Sequence, residues 1–567
     1  MDRSWLRVRL WAVALAAAAC NGTPTAPTLA ACHSGVPPLV LSVGADSAMD
    51  PVATSGCIVV AANASGTDSA EYLLVPQAST TAPDFHSSFK LAGGAAITAS
   101  IAAQFQAAPA SPAEQFHDRL RRMEEEGAYP VPAGMTASAR GAAPSIRVAD
   151  PSDTVGNQRP FRVLSNLTNP TISTPVNATA KSVGAHIILY VDNAAPANGL
   201  SPADYDKLRS DFDTLLYAVD TTAFGRESDI DGNGRVIVLM SNVINRLVTA
   251  QECVSTGYVT GFFFAGDLAP STRSMWNNGE IFYTIVADSG ATLGSCPHTN
   301  SQVNLVVPVT FIHEFQHMIS FNQHALVRGG GGEVLWLNEG LSHYAEELGG
   351  RVFLQAGDNP RFCDYVRGDL YNFGLYLANP GASGLVASAG VGTLSERGAW
   401  WAFVRYLVDQ FAADTSIAAA AAFTRAIDRT TATGTDNVIQ RTGVQFATLA
   451  KRWVLANWVS DLPGFTAPST MKYKHWAFRS DYPALHASCT SWSTFQRSPP
   501  DAFPLAAPGG LAAAINVSGT IYAGSAGTYQ RALQGPGGAQ FTLLFSDGSG
   551  AQLQGSVLPR LNVLRIR

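Results

Sequence analysis

Both ends of the chain show the hydrophobic pattern of short strands joined by turns. From about residue 32 to residue 94, apolar runs such as LVLSV, CIVVAA and EYLLVPQ alternate with Gly, Asn and Asp residues. The runs INVSGTIYAG, AQFTLLFSDG and LNVLRIR repeat this pattern near the C-terminus. We therefore predict an N-terminal β domain over residues 32–105 and a separate small β domain over residues 495–567.

A polar helix follows the first of these regions. The segment SPAEQFHDRLRRMEEEGA has Ser111 as a candidate N-cap and Pro112 at the first helical position. Its polar character and its Pro/Ala/Ser-rich flanks are typical of a connection between domains. We predict a helical connector or linker over residues 106–160.

Residues 161–490 interleave strand and helix patterns. HIILYVDN, RVIVLMSNVIN, VTGFFFA and EIFYTIVAD predict strands, and SPADYDKLRSDFDTLLYAV predicts an amphipathic helix. From about residue 398 to residue 461 the pattern is mainly helical. This order indicates an α/β unit followed by helices, so the fold class is multidomain α+β.

The composition limits the class of protein. The 567 residues are 46% hydrophobic and 14% charged, which allows sizeable cores and more than one domain. The net charge is -6, and the chain has no basic run outside its N-terminus. Nucleic acid is therefore not an expected partner.

The N-terminal segment MDRSWLRVRLWAVALAAAAC has the pattern of an export signal. Three arginines precede the apolar segment 10–19, which is too short to span a bilayer as a stable helix. The segment ends before Cys20 and resembles a bacterial lipoprotein cleavage box, although Ala17 stands where Leu is preferred. We predict a lipoprotein-like signal peptide over residues 1–20 and a tether over residues 21–31. The protein is then attached to the cell envelope by a lipid on Cys20, or is secreted after cleavage at an A-x-A site.

The remaining cysteines agree with export. Their sequence order suggests the disulfides Cys32–Cys57, Cys253–Cys296 and Cys363–Cys489, although six cysteines allow many other pairings. They lack the C-x-x-C spacing of a thiolate metal site. Structural disulfides in an oxidising compartment are the expectation.

The segment VTFIHEFQHMIS contains two histidines four residues apart. We predict a helix that has Pro308 in its first turn and runs through residues 311–321, so that His313 and His317 leave the same face. Both imidazoles can then bind one Zn²⁺ ion, and Glu314, about 100° further round the helix, can act as a base. The alternative is a buried helix whose histidines satisfy one another.

A third metal ligand decides between these alternatives. The metzincin pattern needs Gly and His where this chain has Ser320 and Gln323. Further along, the segment WLNEGLSHYAE places Glu339 22 residues after His317, beyond the glycine-rich stretch 329–332. This distance allows a turn and a second helix that returns past the first.

HEFQH followed by WLNEGLSHYAEE resembles the gluzincin zinc metallopeptidases, and most of all the hyicolysin-type family. WLNEG is also similar to the aminopeptidase branch of that clan. The general likeness extends over about residues 161–461. It implies a thermolysin-like peptidase unit with Glu339 as the third zinc ligand and Glu314 as the general base. The implied reaction is hydrolysis of a polypeptide substrate by Glu-assisted attack of zinc-bound water.

Two further roles follow from this resemblance. Glu346 lies seven residues beyond Glu339 on the same helical face, and we expect it to accept a hydrogen bond from a ligand imidazole. An exposed helical glutamate is the alternative. The aminopeptidase branch stabilises the oxyanion with a tyrosine that the segment SERG lacks, and the sequence does not choose its replacement. The candidate donors are His343, Tyr365, Tyr371, Tyr376 and Arg397.

The segment SDIDGNG resembles the first half of a calcium-binding loop. Asp229, Asp231 and Asn233 have the spacing of its first three ligands, but its last position holds Met240 instead of a bidentate glutamate. A plain Asp/Gly turn before a strand is the alternative. Ca²⁺ is therefore a second candidate cofactor.

The segment SMWNNGEIFYTIVAD bears on the kind of peptidase. It precedes the HEFQH helix where gluzincins carry an edge strand that pairs with the substrate backbone. The G-x-M-E-N motif with which the aminopeptidase branch binds a free amine is absent, although Glu280 is nearby. An endopeptidase is therefore favoured over an aminopeptidase. The alternative from another class is a non-catalytic surface binding protein with a zinc site, which the missing tyrosine favours.

Overall fold

The computed structural model describes residues 32, 35–93, 109–130, 154–272, 274–387 and 392–567. The predicted signal peptide, the tether and Cys20 lie outside these residues. Within them, no helix combines the length and the apolar surface needed to cross a bilayer. The described chain is a mixed α and β structure with three sheets and a large helical region.

The elements of the described residues are numbered in chain order. The strands are β1 (Asp46–Met49), β2 (Cys57–Val60), β3 (Ala70–Ala78), β4 (His86–Gly93), β5 (Gln158–Leu164), β6 (Ser173–Val183), β7 (Ile187–Asp192), β8 (Val236–Met240), β9 (Gly261–Phe263), β10 (Ile281–Thr284), β11 (Gly509–Leu511), β12 (Asn516–Tyr522), β13 (Gln530–Gln534), β14 (Phe541–Ser546) and β15 (Pro559–Arg565). The helices are α1 (Pro112–Glu125), α2 (Pro202–Asp211), α3 (Tyr217–Ala223), α4 (Asn242–Asn245), α5 (Ala250–Ser255), α6 (Asn300–Phe321), α7 (Leu335–Gln355), α8 (Asn359–Ala378), α9 (Leu394–Phe411), α10 (Ile417–Asp428), α11 (Gly434–Thr442), α12 (Phe446–Val459) and α13 (Phe478–Ser488). Two π-helical segments, Phe212–Leu216 and Asn322–Leu326, follow α2 and α6.

Strands from both ends of the chain interleave in two sheets. One sheet has the order β1-β15-β3-β13-β11, and the other has the order β12-β4-β14-β2. Both neighbours of the long strand β3 come from the C-terminal region. The two β domains that were predicted as separate are therefore one sandwich. Local alternation predicts strands but not their partners, because pairing depends on contacts that are remote in sequence.

A third, six-stranded sheet has the order β5-β6-β7-β8-β10-β9. Its strands β7, β8 and β10 run parallel, and β7 and β8 are buried along their whole length, as their continuous apolar sequences require. Strand β9 pairs antiparallel with β10 at the edge of the sheet. The segment expected to supply the edge strand thus supplies the inner strand β10, and β9 is the edge strand.

Helix α6 is longer than the sequence predicted. It begins at Asn300, where the side chain of Thr299 and that of Gln302 form a reciprocal capping box. Pro308 lies inside the helix and not in its first turn. Proline removes only one backbone hydrogen bond, so a strong N-terminal cap and burial of the following turns can outweigh its cost. After the π-helical segment, the chain turns at Gly329, whose φ of 72° favours glycine, and enters α7.

Helices α7, α8 and α9 pack closely together. A Cβ atom on Gly398 would lie 2.2 Å from the backbone carbonyl carbon of Asn372 on α8. Only glycine therefore allows α9 to approach α8 at this point. The approach fixes the position of Arg397, which precedes Gly398 on α9.

Helix α1, predicted as a connector, is part of the packed structure. Asp118, Arg121 and Glu124 on this helix are each at most 2% exposed. The guanidinium of Arg121 donates to the backbone oxygen of Phe263 on β9 at 2.8 Å. The capping box that begins α1 at Ser111 was anticipated from the sequence, but the burial of its charged face was not. Charged residues in a helical pattern usually indicate a solvated face, and here they meet buried partners instead.

The structure contains three disulfides, Cys32–Cys57, Cys253–Cys296 and Cys363–Cys489. These are the pairs suggested by sequence order. The last of them joins α8 to the residue that follows α13, across a sequence separation of 126 residues.

Candidate active site

Helices α6 and α7 bring two histidines and a glutamate to one point. Glu339 Oε2 lies 3.5 Å from His313 Nε2, and Glu339 Oε1 lies 3.6 Å from His317 Nε2. Donor atoms that share a tetrahedral Zn²⁺ at about 2.0–2.2 Å lie about 3.3–3.6 Å from one another. Glu339 Oε1 is buried and accepts no hydrogen bond from the described residues. Each imidazole is therefore at the spacing of two zinc ligands from one Glu339 oxygen, and the donor types and the unpaired Oε1 fit a zinc ion.

The other ring nitrogens of the two histidines are held by hydrogen bonds. His313 Nδ1 lies 2.7 Å from Glu346 Oε1, and His317 Nδ1 lies 2.9 Å from Asn338 Oδ1. These contacts orient both Nε2 atoms towards Glu339. Glu346 is the residue that the sequence suggested for this role, and it is buried, not exposed. Asn338 was missed, although it directly precedes Glu339 in WLNEG and follows His317 by 21 residues.

The electrostatics of this point favour a cation. Burial opposes a charge on His313, but hydrogen bonds to Glu339 and Glu346 outweigh it and raise the pKa of His313 to about 10. Burial also opposes ionisation of Glu339, yet Arg397 and the two histidines hold its pKa well below the usual range. A carboxylate and two inward-facing imidazoles in this environment are a suitable ligand set for a divalent ion.

Glu314 is placed beside this point, at the floor of a cleft. Its Oε2 accepts a hydrogen bond from the backbone N–H of Phe263 on β9 at 2.8 Å, and its Oε1 lies 3.6 Å from His117 Nδ1. Burial raises the pKa of Glu314 above its ordinary value, with the His313 charge acting in the opposite direction. A raised pKa brings a carboxylate closer to the operating pH of a general base.

Arg397 connects the candidate metal ligand to α1. One guanidinium nitrogen donates to Glu339 Oε2, and the other donates to Asp118 Oδ1 at 2.7 Å. Its Nε donates to the backbone oxygen of Gly392 at 3.2 Å. Arg397 was a candidate oxyanion donor, but these contacts engage its nitrogens and make it a positioning residue for Glu339. Asp118 was missed, and its separation of 279 residues from Arg397 explains why no local signal indicated it.

The structure separates the remaining candidate oxyanion donors. Tyr376 donates to or accepts from Ser525 Oγ at 2.9 Å, and neither Tyr376 nor Tyr365 is among the described residues that line the cleft. His343 also lines the cleft: its Nδ1 lies 3.0 Å from both Glu346 and Asp369, and its buried Nε2 has no hydrogen-bond partner among the described residues, so it stays a candidate donor. Tyr371 lines the cleft as predicted.

His117 is a cleft residue that the sequence did not indicate. It lies on α1, beside Glu314, and lines the same cleft as Tyr371. Burial and the nearby Arg397 guanidinium lower its pKa to about 3, so the imidazole is neutral at neutral pH. The polar helix containing it was the only sequence signal, and that signal predicted a solvated connector.

The cleft has a volume of about 870 Å³ and is wide enough for several residues of a peptide. Gly261, at the start of the edge strand β9, is part of its wall. Two residues further along β9, the backbone of Phe263 contacts Glu314 and Arg121, so its polar groups point away from β10. Because strand residues two apart have the same orientation, the backbone groups of Gly261 also point away from β10.

The candidate calcium residues lie elsewhere. Asp229, Asp231 and Asn233 occupy the loop between α3 and β8 and are not among the described residues that line the cleft. Glu280 is also outside the cleft lining, directly before β10.

The chain was compared with known proteins. No family model matches it. A segment of 152 residues is 26% identical to a protein of Staphylococcus hyicus named neutral metalloprotease ShpI. The match covers 27% of this chain and 32% of that protein, so the chain spans about a third of the relative's length.

Proposed function

We propose that the protein is an exported zinc-dependent metallopeptidase of the gluzincin type that cleaves within polypeptide chains. The observation that carries the proposal is the convergence of His313, His317 and Glu339 on one point, with Glu314 beside it in a large cleft. The partial likeness to a protein named neutral metalloprotease supports the broad class. The three disulfides support folding in an oxidising compartment.

The roles of the residues follow from their positions. His313, His317 and Glu339 would hold zinc, which when bound is a Lewis acid that lowers the pKa of water and polarises a carbonyl. Glu314 takes the proton from the attacking water and passes it to the leaving amine. The Phe263 N–H holds Oε2 of Glu314, so Oε1 is the oxygen that is available to the cleft. Arg397 and Asp118 hold Glu339 in place.

The edge strand supports cleavage within a chain. An extended substrate can add to the free edge of β9 at Gly261 through backbone hydrogen bonds, which need no particular terminus. Glu280, the acidic residue closest to the position of the aminopeptidase amine-binding motif, accepts hydrogen bonds from Ser228 and Ile230 and lies outside the cleft lining. It is therefore not placed to bind a substrate amine, and the aminopeptidase alternative loses its candidate residue.

The proposal predicts chelator-sensitive cleavage of blocked peptides. We expect an unfolded protein substrate, and peptides with acetylated N-termini, to be cut at internal bonds that mass spectrometry maps. Removal of zinc with 1,10-phenanthroline should abolish cutting, and added Zn²⁺ should restore it. Cutting restricted to free N-termini would indicate an aminopeptidase instead. A zinc-loaded protein that cuts none of a broad peptide set would indicate a binding protein.

We further propose that His117 donates a hydrogen bond to the transition-state oxyanion. His117 lines the cleft and its Nδ1 lies 3.6 Å from Glu314 Oε1, which leaves Nε2 as the nitrogen available to a substrate. We expect His117→Ala to lower kcat by about 10²–10³ with little change in KM, as is typical for loss of one such donor. Steady-state kinetics on one blocked peptide measures the effect.

Two comparisons make this prediction specific. Tyr365→Phe removes a buried hydroxyl outside the cleft lining and should leave kcat unchanged. If His117 only tuned Glu314, its loss would shift the acidic limb of the kcat/KM profile without lowering the plateau. A large loss of kcat in Tyr371→Phe or His343→Ala, with none in His117→Ala, would assign the role to that residue instead.

A further inference from the structure

We propose that Asp229, Asp231 and Glu280 bind a Ca²⁺ ion at the start of the parallel strands β8 and β10, outside the zinc cleft. One carboxylate oxygen from each residue lies within 4.8 Å of the others. Two oxygens bound to one Ca²⁺ at about 2.3–2.6 Å are at most about 5 Å apart, so one ion can contact all three residues.

The loop that carries the two aspartates is already ordered by its own hydrogen bonds. Asp229 Oδ1 accepts from the N–H of Gly234 at 2.9 Å, and Asp231 Oδ1 accepts from the N–H of Asn233 at 3.1 Å. Asn233 Oδ1 accepts from the N–H of Arg235 at 2.6 Å. The side-chain oxygen of the third candidate calcium ligand therefore stabilises the turn. Turn geometry of this kind is common without a metal and does not by itself indicate a site.

Glu280 supplies the independent observation. This residue is 1% exposed, and its Oε1 accepts hydrogen bonds from the Ser228 hydroxyl at 2.5 Å and from the Ile230 N–H at 2.9 Å. Its Oε2 is buried and has no hydrogen-bond partner among the described residues. An unpartnered buried carboxylate oxygen beside two aspartates is costly unless a cation completes it. Burial and the charge of Asp231 raise the pKa of Glu280 to about 8, and a positive charge at this point would favour the ionised carboxylate.

The local charges also favour a cation. Arg159 Nη1 lies 3.6 Å from Asp231 Oδ2 and offsets part of the negative charge. The guanidinium of Arg159 is 29% exposed, and a surface charge is partly screened by solvent, so the three carboxylates can still attract an ion. Arg159 contacts Asp231 at its Oδ2 atom. Gly279 lies close to the same atom, since a Cβ added at Gly279 would come to 3.0 Å from it.

The chemistry of the ligands selects calcium. All three side chains offer oxygen, which suits a hard cation and not zinc. They come from a turn and from the residue before a strand, and Ca²⁺ accepts such irregular arrangements, whereas Mg²⁺ demands a near-octahedral one. Glu280 would also replace the acidic residue that the linear loop lacks at Met240, from the position directly before the neighbouring strand β10.

The position of the ion explains what it would do. The N–H of Ile237 on β8 donates to the backbone oxygen of Glu280, so the ion would join two strands at their first residues. Strand β10 in turn pairs with β9, whose Phe263 N–H holds Glu314. The ion would stabilise the sheet that supports the candidate base and take no part in the chemistry.

Calcium-dependent melting of the full-length, zinc-loaded protein tests this site. After passage over a chelating resin and reconstitution with zinc, addition of about 10 mM CaCl₂ should raise Tm by about 2–5 °C. Glu280→Gln should abolish the rise, because it keeps the size and the Oε1 acceptor but removes the charge. In calcium-free buffer this variant should melt at or above the wild-type temperature, since it no longer buries an unpartnered carboxylate. Asp231→Asn is the second variant should Glu280→Gln fold poorly.

The controls separate this site from the zinc centre. Glu333→Gln alters a buried glutamate that bonds Gly434 and Asn437, and it should keep the full calcium response. Zinc content is measured in every sample and should stay at the wild-type level in Glu280→Gln. The calcium-dependent rise in Tm can therefore be interpreted even if the zinc proposal fails. Any of three results would overturn the assignment: a calcium response that persists in Glu280→Gln and Asp231→Asn, an equal response to MgCl₂, or no heat of CaCl₂ binding to the wild type.

Discussion

Glu314→Gln should lower the rate of peptide hydrolysis by about 10²–10⁴ while zinc content and melting temperature stay close to wild type. Glutamine keeps the length of the side chain and an oxygen that can accept from the Phe263 N–H, which now holds Glu314 Oε2 at 2.8 Å. It cannot take a proton from water. The metal ligands His313, His317 and Glu339 are unchanged, so the loss should appear in kcat and not in metal binding.

The matched control is the same substitution at a structural glutamate. Glu333 is as buried as Glu314, but its carboxylate accepts from the N–H groups of Val334 and Gly434. Glu333→Gln should cost stability, by about 1–3 kcal/mol, and leave the rate per folded molecule unchanged. If Glu314→Gln hydrolyses a blocked peptide as fast as wild type, Glu314 is not the base. If neither protein hydrolyses any substrate with zinc bound, the binding-protein alternative gains support.

The part of the site that the sequence predicted lies on two helices. Helical periodicity is local, so the spacing of His313, His317 and Glu339 already specifies faces that can meet. The same reasoning anticipated the contact of Glu346 with His313, because seven residues make two turns of one helix. The loop length between the helices was enough to bring them together antiparallel, as the pairs His313–Glu346 and His317–Asn338 show.

The part that the sequence missed depends on tertiary contacts. Helix α1 has a polar sequence, and charged residues give no local sign that they will be buried against Arg397 or Phe263. The interleaved sandwich was missed for a related reason, since β3 finds both its partners in strands more than 400 residues away. Glu280 belongs to the same group: its carboxylate accepts hydrogen bonds from Ser228 and Ile230, which lie 52 and 50 residues earlier. In each case the sequence shows the residue type but does not show which residue it contacts.

His317→Ala should remove zinc from the protein and with it all measurable hydrolysis. His317 is fully buried, and its Nε2 is one of the three candidate zinc donors, together with His313 Nε2 and Glu339. Catalytic zinc sites are typically built on three protein ligands, so two remaining donors cannot retain the ion against dialysis. We expect metal analysis to find about one zinc per wild-type chain and less than about 0.1 per variant chain.

Removal of a buried histidine also leaves a cavity, and unfolding by itself would release zinc. His324→Ala controls for this effect because His324 is equally buried and lies in the π-helical segment that continues α6. Its Nε2 lies 3.8 Å from Glu333 and 3.7 Å from Asp428, away from the candidate ligands. Both variants lose the same side-chain volume, so their melting temperatures should fall by similar amounts, but only His317→Ala should lose zinc. Stoichiometric zinc in a folded His317→Ala variant would contradict the assignment of His317 as a ligand, and zinc loss from both variants would attribute the effect to destabilisation.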